Sequence, residues 1–251
     1  MNESLVSHIN SLDISAELEI PTLEAVGEVK QIAREDMQAA IDGGSVVSFV
    51  AGLTPDEKDD VLYSTQFAQR AASAKIDRFG FVRQWYEVYN NTLETLGWVT
   101  EQFAFTHYEE DEGEIHMDSA AIKVLASIAS GGQLTTLQGA LNALQKLSEG
   151  SDEFTVLEMN GTNEFGGNFQ IGSAQRTENG AVSLVIGAFY FKAVNQQRRF
   201  LFFRWGKKNI NFWTAAQKMT LNDGFYGAVR DVVKEKLGQG REDAIRGIEL
   251  A

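Results

Sequence analysis

The spacing of the apolar residues changes once along this chain, near Gly150, and that change limits the possible folds more than any other feature. Before Gly150, apolar side chains recur every three or four residues, which is the spacing of helices that bury one face. After it they alternate with a period of two, which is the spacing of strands. Helices followed by strands in this order are typical of α+β folds. The sequence therefore predicts an α+β protein in which a helical N-terminal half packs on a mainly antiparallel sheet from the C-terminal half, with a C-terminal helix.

We expect a single α+β domain over residues 1–251. No internal repeat, low-complexity tract or proline-rich linker separates the two halves, and domain boundaries usually fall in such linkers. Within this domain we expect residues 1–20 to be a lead-in without clear periodicity and residues 21–150 to be the mainly helical half. Residues 151–251 are expected to form a β-meander followed by the C-terminal helix.

Four stretches of the first half have helical periodicity. The best defined begins at Pro55, because Thr54 and Glu57 form the pattern of a capping box around a proline at the first helical position. Gly43-Gly44 and Gly131-Gly132 are interpreted as helix ends. The four predicted helical stretches are residues 22–41, residues 55–76, residues 79–96 with Phe81 in their buried stripe, and a helical hairpin over residues 118–147.

Residues 182–191 are apolar on both faces, so they are predicted to form a central strand that is covered on both sides. The Asn179-Gly180 pair before them is typical of a hairpin turn. Asn222 is predicted to cap the last helix and Gly238 to end it. The other predicted strands or short buried elements are residues 45–53, 98–105, 154–157, 169–172, 200–205 and 210–221.

The composition excludes several kinds of chemistry. The chain contains no cysteine, so disulfides, thiolate metal sites and cysteine nucleophiles are absent. A Gly-x-Ser-x-Gly motif is missing, and the glycine pairs lack the lysine and serine or threonine of a phosphate-binding loop. We therefore predict a protein that is not an enzyme, with no catalytic residues and no cofactor.

A divalent metal site was considered between His107 and His116, where two histidines and several carboxylates lie close in sequence. Their spacing fits neither a helical histidine pair nor a calcium-binding loop, and a solvated acidic loop is the favoured interpretation. No metal is predicted. An enzyme that uses His107 and Glu109 is the third of three functional hypotheses.

The charge is distributed unevenly along the chain. Residues 1–150 hold 9 Lys and Arg against 24 Asp and Glu, whereas residues 151–251 hold 13 against 11, within a formal net charge of −13. Seven basic residues and no acidic residue lie between Lys192 and Lys218. This tract is predicted to attract an anionic partner in spite of the acidic whole.

Aromatic side chains alternate with the basic ones in this tract, which indicates a binding surface for anionic lipid or for a protein partner. Nucleic acid is not expected, because the chain as a whole is acidic. The favoured interpretation of these aromatic residues is that Phe200, Phe202, Phe203, Trp205 and Phe212 form the core of the sheet while the charges face water. The predicted lipid-binding or partner-binding residues are Arg198, Arg199, Arg204, Trp205, Lys207, Lys208 and Trp213.

Several segments of the chain resemble the Evf (Erwinia virulence factor)-like family of bacterial proteins, which promote persistence in insect guts. These segments are Leu96-Gly-Trp98, residues 117–131, residues 200–205 and residues 219–238. The resemblance implies a compact α/β virulence protein that has no enzymatic motif and associates with lipid through an acylated cysteine. Because this chain has no cysteine, the covalent anchor does not carry over, and lipid association must be non-covalent.

The first functional hypothesis is a non-enzymatic bacterial virulence or toxin-like protein that associates with lipid or with a host surface through the basic and aromatic C-terminal region. The second is an acidic interaction protein or accessory subunit whose helical half docks a basic protein partner. The sequence shows no signal-peptide pattern and no membrane-spanning run of apolar residues. We expect a cytoplasmic location at synthesis, with export without a cleavable signal peptide left open.

Overall fold

The computed structural model describes residues 2–21, 32–100, 105–109, 114–147, 150–193, 200–202, 204–206 and 210–250. In this part of the chain a large sheet lies between two layers of helices, and the α+β prediction is confirmed. The helices are α1 (Asn2–Ser11), α2 (Pro55–Lys75), α3 (Val82–Thr95), α4 (Met117–Leu125), α5 (Gly131–Lys146), α6 (Asp152–Gly161), α7 (Asp223–Gly227) and α8 (Arg230–Leu237).

The strands of the main sheet come from both halves of the chain. Those of the first half are β1 (Ala39–Asp42), β2 (Ser45–Phe49), β3 (Trp98–Thr100) and β4 (Thr106–His107). Those of the second half are β6 (Thr162–Asn163), β7 (Gly166–Arg176), β8 (Val182–Ala193), β10 (Ile210–Leu221) and β11 (Ile245–Ile248). Two further strands, β5 (Glu114–His116) and β9 (Arg204–Gly206), pair with each other in a separate sheet.

The strand order of the main sheet is β11-β1-β2-β7-β8-β10-β3, with β4 also on β10 and β6 also on β7. The pairing of β2 with β7 is parallel and the other described pairings are antiparallel. The long central strands β7, β8 and β10 come from the C-terminal half, as predicted. Strands of the first half extend the sheet on both sides of them.

Strand β8 is covered on both faces, which confirms its prediction as the central strand. Val185, Phe189 and Phe191 pack into the layer that contains α4, α5 and α6. Leu184 and Ile186 pack into the opposite layer, which is formed mainly by α2 and α3. The sheet therefore separates two hydrophobic cores, and any side chain at its ends belongs to one face or the other.

The predicted ends of several helices are confirmed. Thr54 caps α2 with a complete capping box, in which its side chain accepts a hydrogen bond from the Glu57 amide and the Glu57 side chain accepts one from the Thr54 amide. Asn222 caps α7 by accepting from the Phe225 amide, and Gly238, with a φ of +73°, ends α8, but the predicted single helix between them is divided into α7 and α8 at residues 228–229. Local side-chain chemistry fixes these boundaries, which is why the sequence reveals them.

The predicted helix over residues 22–41 is wrong at its C-terminal end, where the chain forms β1. Gly43, with a φ of +55°, lies in the turn between β1 and β2 instead of ending a helix. All four residues of β1 are buried, and Ala39 is the register partner of Ile248 at the far end of the chain. The pairing with β11 leaves no local signal, whereas the Gly43-Gly44 pair is also typical of the two-residue hairpin turn that joins β1 to β2. Residues 22–31 of the prediction lie outside the described residues.

Two predicted strands of the second half are also wrong. Residues 154–157 lie in α6, because the Ser151 side chain accepts a hydrogen bond from the Phe154 amide at 3.4 Å and so starts a helix. Residues 200–202 form a 3₁₀ turn, and only the following Arg204–Gly206 is a strand, paired with β5 outside the main sheet. In both places aromatic side chains enter the core from a helical turn, which composition does not distinguish from a strand.

The structure adds a helix to the lead-in and moves one boundary. Residues 2–11 form α1, which packs against α8, although their sequence has no clear periodicity. The Gly131-Gly132 pair begins α5 instead of ending α4, because Ser130 and Gln133 form a second capping box. Helix α4 already ends at Leu125.

Candidate functional site

The predicted binding residues do not form one cluster. Trp205 is 4% exposed and packs against Phe191, with ring centroids 5.6 Å apart, in the layer of α4 to α6. Arg204 is exposed in β9, opposite His116 of β5. Trp213 is half-buried near the start of β10, on the opposite face of the sheet. Of the remaining predicted residues, Arg198, Arg199, Lys207 and Lys208 lie outside the described residues.

Part of the basic and aromatic tract is therefore core. Phe200, Trp205 and Phe212 are buried, as the core interpretation of the tract requires, and Phe203 lies outside the described residues. Phe202 is partly buried and packs against the same core. Among the described residues of the predicted site, Trp213 is the one whose ring is accessible, and it lines a cleft in the surface.

A cleft of about 390 Å³ opens between the first turn of α3 and the ends of β8 and β10. Its floor is an aromatic pair: the rings of Trp213 and Tyr190 are register partners on adjacent strands and stack with centroids 5.2 Å apart. We call it the aromatic–cationic cleft; the lining side chains that define it are Phe81, Arg83, Phe105, Tyr190, Lys192 and Trp213.

The charged side chains that line the cleft are both positive. Arg83 projects from the first turn of α3 and Lys192 from the end of β8, and both are exposed. Neither forms an ion pair with any residue that the structure describes. Lys192 Nζ lies 5.9 Å from the centroid of the Tyr190 ring. The lining of the cleft is therefore positive in a chain of net charge −13, and the nearby Asp77 carboxylate lies against Gly80, where it accepts a hydrogen bond from the Phe79 amide.

The start of α3 adds to this potential. Phe81 is the N-cap residue and contributes no side-chain hydrogen bond, and the first turn contains no acidic residue. The first amides of a helix have no acceptor within the helix, and they carry its positive partial charge. The contiguous residues 80–84 line the cleft, so this end of α3 faces it.

Two exposed phenylalanines lie at the same end of the molecule. Phe81 is 60% exposed at the rim of the cleft, which corrects the prediction that it belongs to the buried stripe of α3. Phe165 is 69% exposed in the turn before β7, and its carbonyl oxygen accepts a hydrogen bond from the Ala193 amide, next to Lys192. Large apolar side chains exposed beside cations are unusual in a structure that buries most of its aromatic residues.

A buried polar cluster holds the wall of the cleft in place. Arg78, in the connection from α2 to α3, donates from Nε to the Asn168 carbonyl oxygen at 3.2 Å and from Nη1 to Gln69 Oε1 at 3.2 Å. Asn168 of β7 returns a hydrogen bond to the Arg78 carbonyl oxygen and accepts one from the Tyr86 hydroxyl at 2.8 Å. These bonds tie α3 to the sheet and so position Phe81 and Arg83.

The same cluster contains a buried carboxyl group. Asp42 Oδ1 accepts from Gln66 Nε2 at 3.0 Å and Oδ2 accepts from the Thr65 hydroxyl at 3.2 Å, which connects β1 to α2. Burial raises the pKa of Asp42 to about 7 and lowers the pKa of Arg78 to about 10. Neither group lines the cleft, and each forms hydrogen bonds that connect neighbouring elements of the fold.

His107 and His116, the two histidines near the acidic loop, lie on different sheets. His107 lies edge-on to Trp213, with ring centroids 5.7 Å apart, whereas His116 belongs to the separate two-stranded sheet. The described residues contain no group of three or more His, Asp or Glu side chains that could hold a metal ion. Residues 110–113 of the acidic loop lie outside the described residues.

Sequence reasoning found Trp213 and the tract that includes Lys192, but it missed Phe81, Arg83 and Phe165. The sequence holds one local signal for Arg83. It is a cation in the first turn of a helix without a capping side chain, where a negative charge is normally favoured. The helices that the structure describes include none that is long and apolar enough to span a membrane.

Comparisons with known proteins show a weak resemblance of the fold. No family model matches the sequence, and no curated protein matches it. A solved structure of the Evf virulence factor superposes with a TM-score of 0.36 at 11% identity, covering 84% of this chain and 85% of that one. A delta-endotoxin structure superposes with a TM-score of 0.41 at 11% identity, covering 82% of this chain and 90% of that one.

Proposed function

We propose that this protein binds anionic lipid surfaces through the aromatic–cationic cleft, and that it acts as a non-enzymatic protein of the virulence or toxin-like kind. The observation that supports the binding is the exposure of Phe81 beside the cations Arg83 and Lys192. The virulence or toxin-like kind is what the resemblance of the sequence segments implies, and the proposed binding does not depend on it.

The chemistry of the cleft matches that of a membrane interface. Cations near an anionic leaflet contribute about 1 kcal/mol each, and Tyr and Trp rings favour the level of the lipid head groups. Phe81 and Phe165 project from the same end and can enter the acyl region without any change in the core. Screening confines these interactions to about 8–10 Å, so the acidic residues elsewhere on the chain do not prevent binding.

The four predicted basic residues outside the described part of the chain lie in sequence between β8 and β10. β8 ends at Ala193 and β10 begins at Ile210, and these two residues are register partners. Residues 194–199 and 207–209 lie outside the described residues. Their basic side chains therefore remain predicted contributors to binding, to be tested by substitution with glutamine.

Binding should require an anionic surface and the exposed phenylalanines. We expect the protein to co-sediment with vesicles of phosphatidylglycerol and phosphatidylcholine, and to be released by high salt. Phe81→Ser combined with Phe165→Ser should weaken binding about tenfold or more, because each exposed ring loses its transfer from water to the interface. The measurement is the bound fraction against lipid concentration, at low and high ionic strength.

Val99→Ser is the matched control. Val99 is 67% exposed, but it lies in β3 beside Thr220, at the opposite end of β10 from Trp213. This variant should bind as the wild type does. Equal loss in the control and the double variant, or binding to neutral vesicles alone, would contradict the proposal. Absence of vesicle binding together with capture of a basic protein would favour the hypothesis of an acidic interaction protein instead.

A further inference from the structure

We infer that the aromatic–cationic cleft binds one phosphomonoester group, the chemistry that phosphatidic acid presents at a membrane surface. This inference rests on the proposed lipid binding and makes it more specific. It depends on three features of the cleft. These are the two cations Arg83 and Lys192, the aromatic floor of Trp213 and Tyr190, and the backbone of the first turn of α3.

The two cations approach the cleft from different elements. Arg83 belongs to the first turn of α3, and Lys192 belongs to the end of β8. Since neither is paired with a carboxylate of the described residues, both are available to an incoming anion. A phosphomonoester carries a charge of about −1.5 to −2 and three terminal oxygens, so its charge matches the summed charge of the two cations. A phosphodiester or a carboxylate offers a single charge.

The aromatic floor of the cleft can contact the glycerol and acyl groups that are attached to the phosphate. The Trp213 and Tyr190 rings are stacked within 22° of parallel and present apolar ring atoms to the cleft beside the cations. A glycerol backbone with its acyl chains can pack on this surface, whereas inorganic phosphate cannot. We therefore expect a lipid phosphomonoester to bind more tightly than the free ion.

The first turn of α3 adds donors to those of the side chains. Phe81 offers no capping oxygen, and Val82 and Gln84 line the cleft together with Gly80. Amides at a helix start favour phosphate oxygens. They supplement Arg83 and Lys192, whose charges supply the main attraction.

The test compares vesicles of equal surface potential. Vesicles that contain phosphatidic acid are matched in zeta potential to vesicles that contain phosphatidylglycerol, and binding of the full chain is measured by co-sedimentation. We expect about tenfold tighter binding to phosphatidic acid, as two charge-assisted contacts predict. Arg83→Gln and Lys192→Gln should each abolish most of this preference and leave weaker binding to both vesicles. Glycerol 3-phosphate should compete at millimolar concentration, and inorganic phosphate more weakly.

Lys75→Gln is the control, because Lys75 is exposed and does not line the cleft. It removes the same charge and should keep the preference. Equal binding to the two matched vesicles would overturn the phosphomonoester inference while leaving anionic lipid binding in place. Binding to neither vesicle would overturn both. If Arg83→Gln and Lys192→Gln keep the preference for phosphatidic acid, the phosphate binds elsewhere and the inference is overturned. Competition by inorganic phosphate as strong as that by glycerol 3-phosphate would also overturn it.

Discussion

Replacing Arg78 by leucine lowers the expected free energy of unfolding by about 2–3 kcal/mol, because two buried hydrogen bonds and a contact with an aromatic ring are lost. Arg78 is 7% exposed, and its guanidinium lies over the Trp85 ring at 4.7 Å from the centroid. Leucine leaves Gln69 Oε1 without the hydrogen bond from Nη1 and the Asn168 carbonyl oxygen without the one from Nε. Gln69 Oε1 keeps only the hydrogen bond from the Gly44 amide at 3.3 Å, and the loss of buried hydrogen bonds is costly.

Urea denaturation measures this loss, and Arg83→Leu is its control. Arg83 lies five positions further along the chain but is exposed, so its replacement should change stability by no more than about 0.5 kcal/mol. The two variants should separate the two roles of arginine in this region. Arg78→Leu weakens the fold, and Arg83→Leu weakens vesicle binding. Unfolding of Arg78→Leu at the urea concentration of the wild type would show that the buried cluster does not hold α3.

Asp42→Asn should raise stability above pH 7 and flatten its dependence on pH. Burial raises the pKa of Asp42 from 3.8 to about 7, while Gln66 and Thr65 oppose this shift by hydrogen bonding and Arg34 by its charge. Below pH 4 the group is protonated in the folded and the unfolded chain. Between pH 4 and 7 the unfolded chain loses the proton first, so the contribution of Asp42 to stability falls as pH rises.

Above pH 7 the folded protein carries the full cost of burying the ionised Asp42 carboxylate. A pKa raised from 3.8 to about 7 corresponds to a cost of about 4 kcal/mol. Asparagine keeps the acceptor for Gln66 and offers an amide toward the Thr65 oxygen, so about 2–4 kcal/mol of this cost should be recovered at pH 8 and almost none at pH 4. Thermal unfolding from pH 4 to 8 is the measurement.

Asp56→Asn is the control for this series, because Asp56 is exposed in the first turn of α2. Its stability profile should follow that of the wild type to within about 0.5 kcal/mol. If Asp42→Asn is as sensitive to pH as the wild type between pH 4 and 7, the carboxyl group does not titrate there, and the account of the buried cluster is wrong.

The sequence predicts those parts of the fold that local chemistry determines. Thr54 and Glu57 identify the start of α2, and the two apolar faces of residues 182–191 identify the strand at the centre of the sheet. The sequence does not predict pairings between distant residues. β1 pairs with β2 across the Gly43-Gly44 turn and with β11 near the other end of the chain, and no pattern within Ala39–Asp42 indicates the second partner.

The candidate site was predictable in part for the same reason. The ring of Trp213 and the charge of Lys192 belong to a tract whose composition is visible in the sequence. Arg83 and Phe81 join them only because the α2–α3 connection is tied to β7 through Asn168. Long-range contacts also determine which aromatic side chains of the tract are buried. Trp205, for example, pairs with Ile115 in the separate two-stranded sheet and not in the main sheet.

The central claim is that the end of the protein that carries Trp213 enters an anionic membrane, and the tryptophans of the chain allow a direct measurement. The chain has four tryptophans, of which Trp85, Trp98 and Trp205 are buried and Trp213 lines the cleft. Anionic vesicles with brominated acyl chains should therefore quench the emission of the wild type, since bromine quenches tryptophan at contact range. Trp213→Phe should bind and show no quenching. Absence of quenching in the wild type, or equal quenching in Trp213→Phe, would contradict the account.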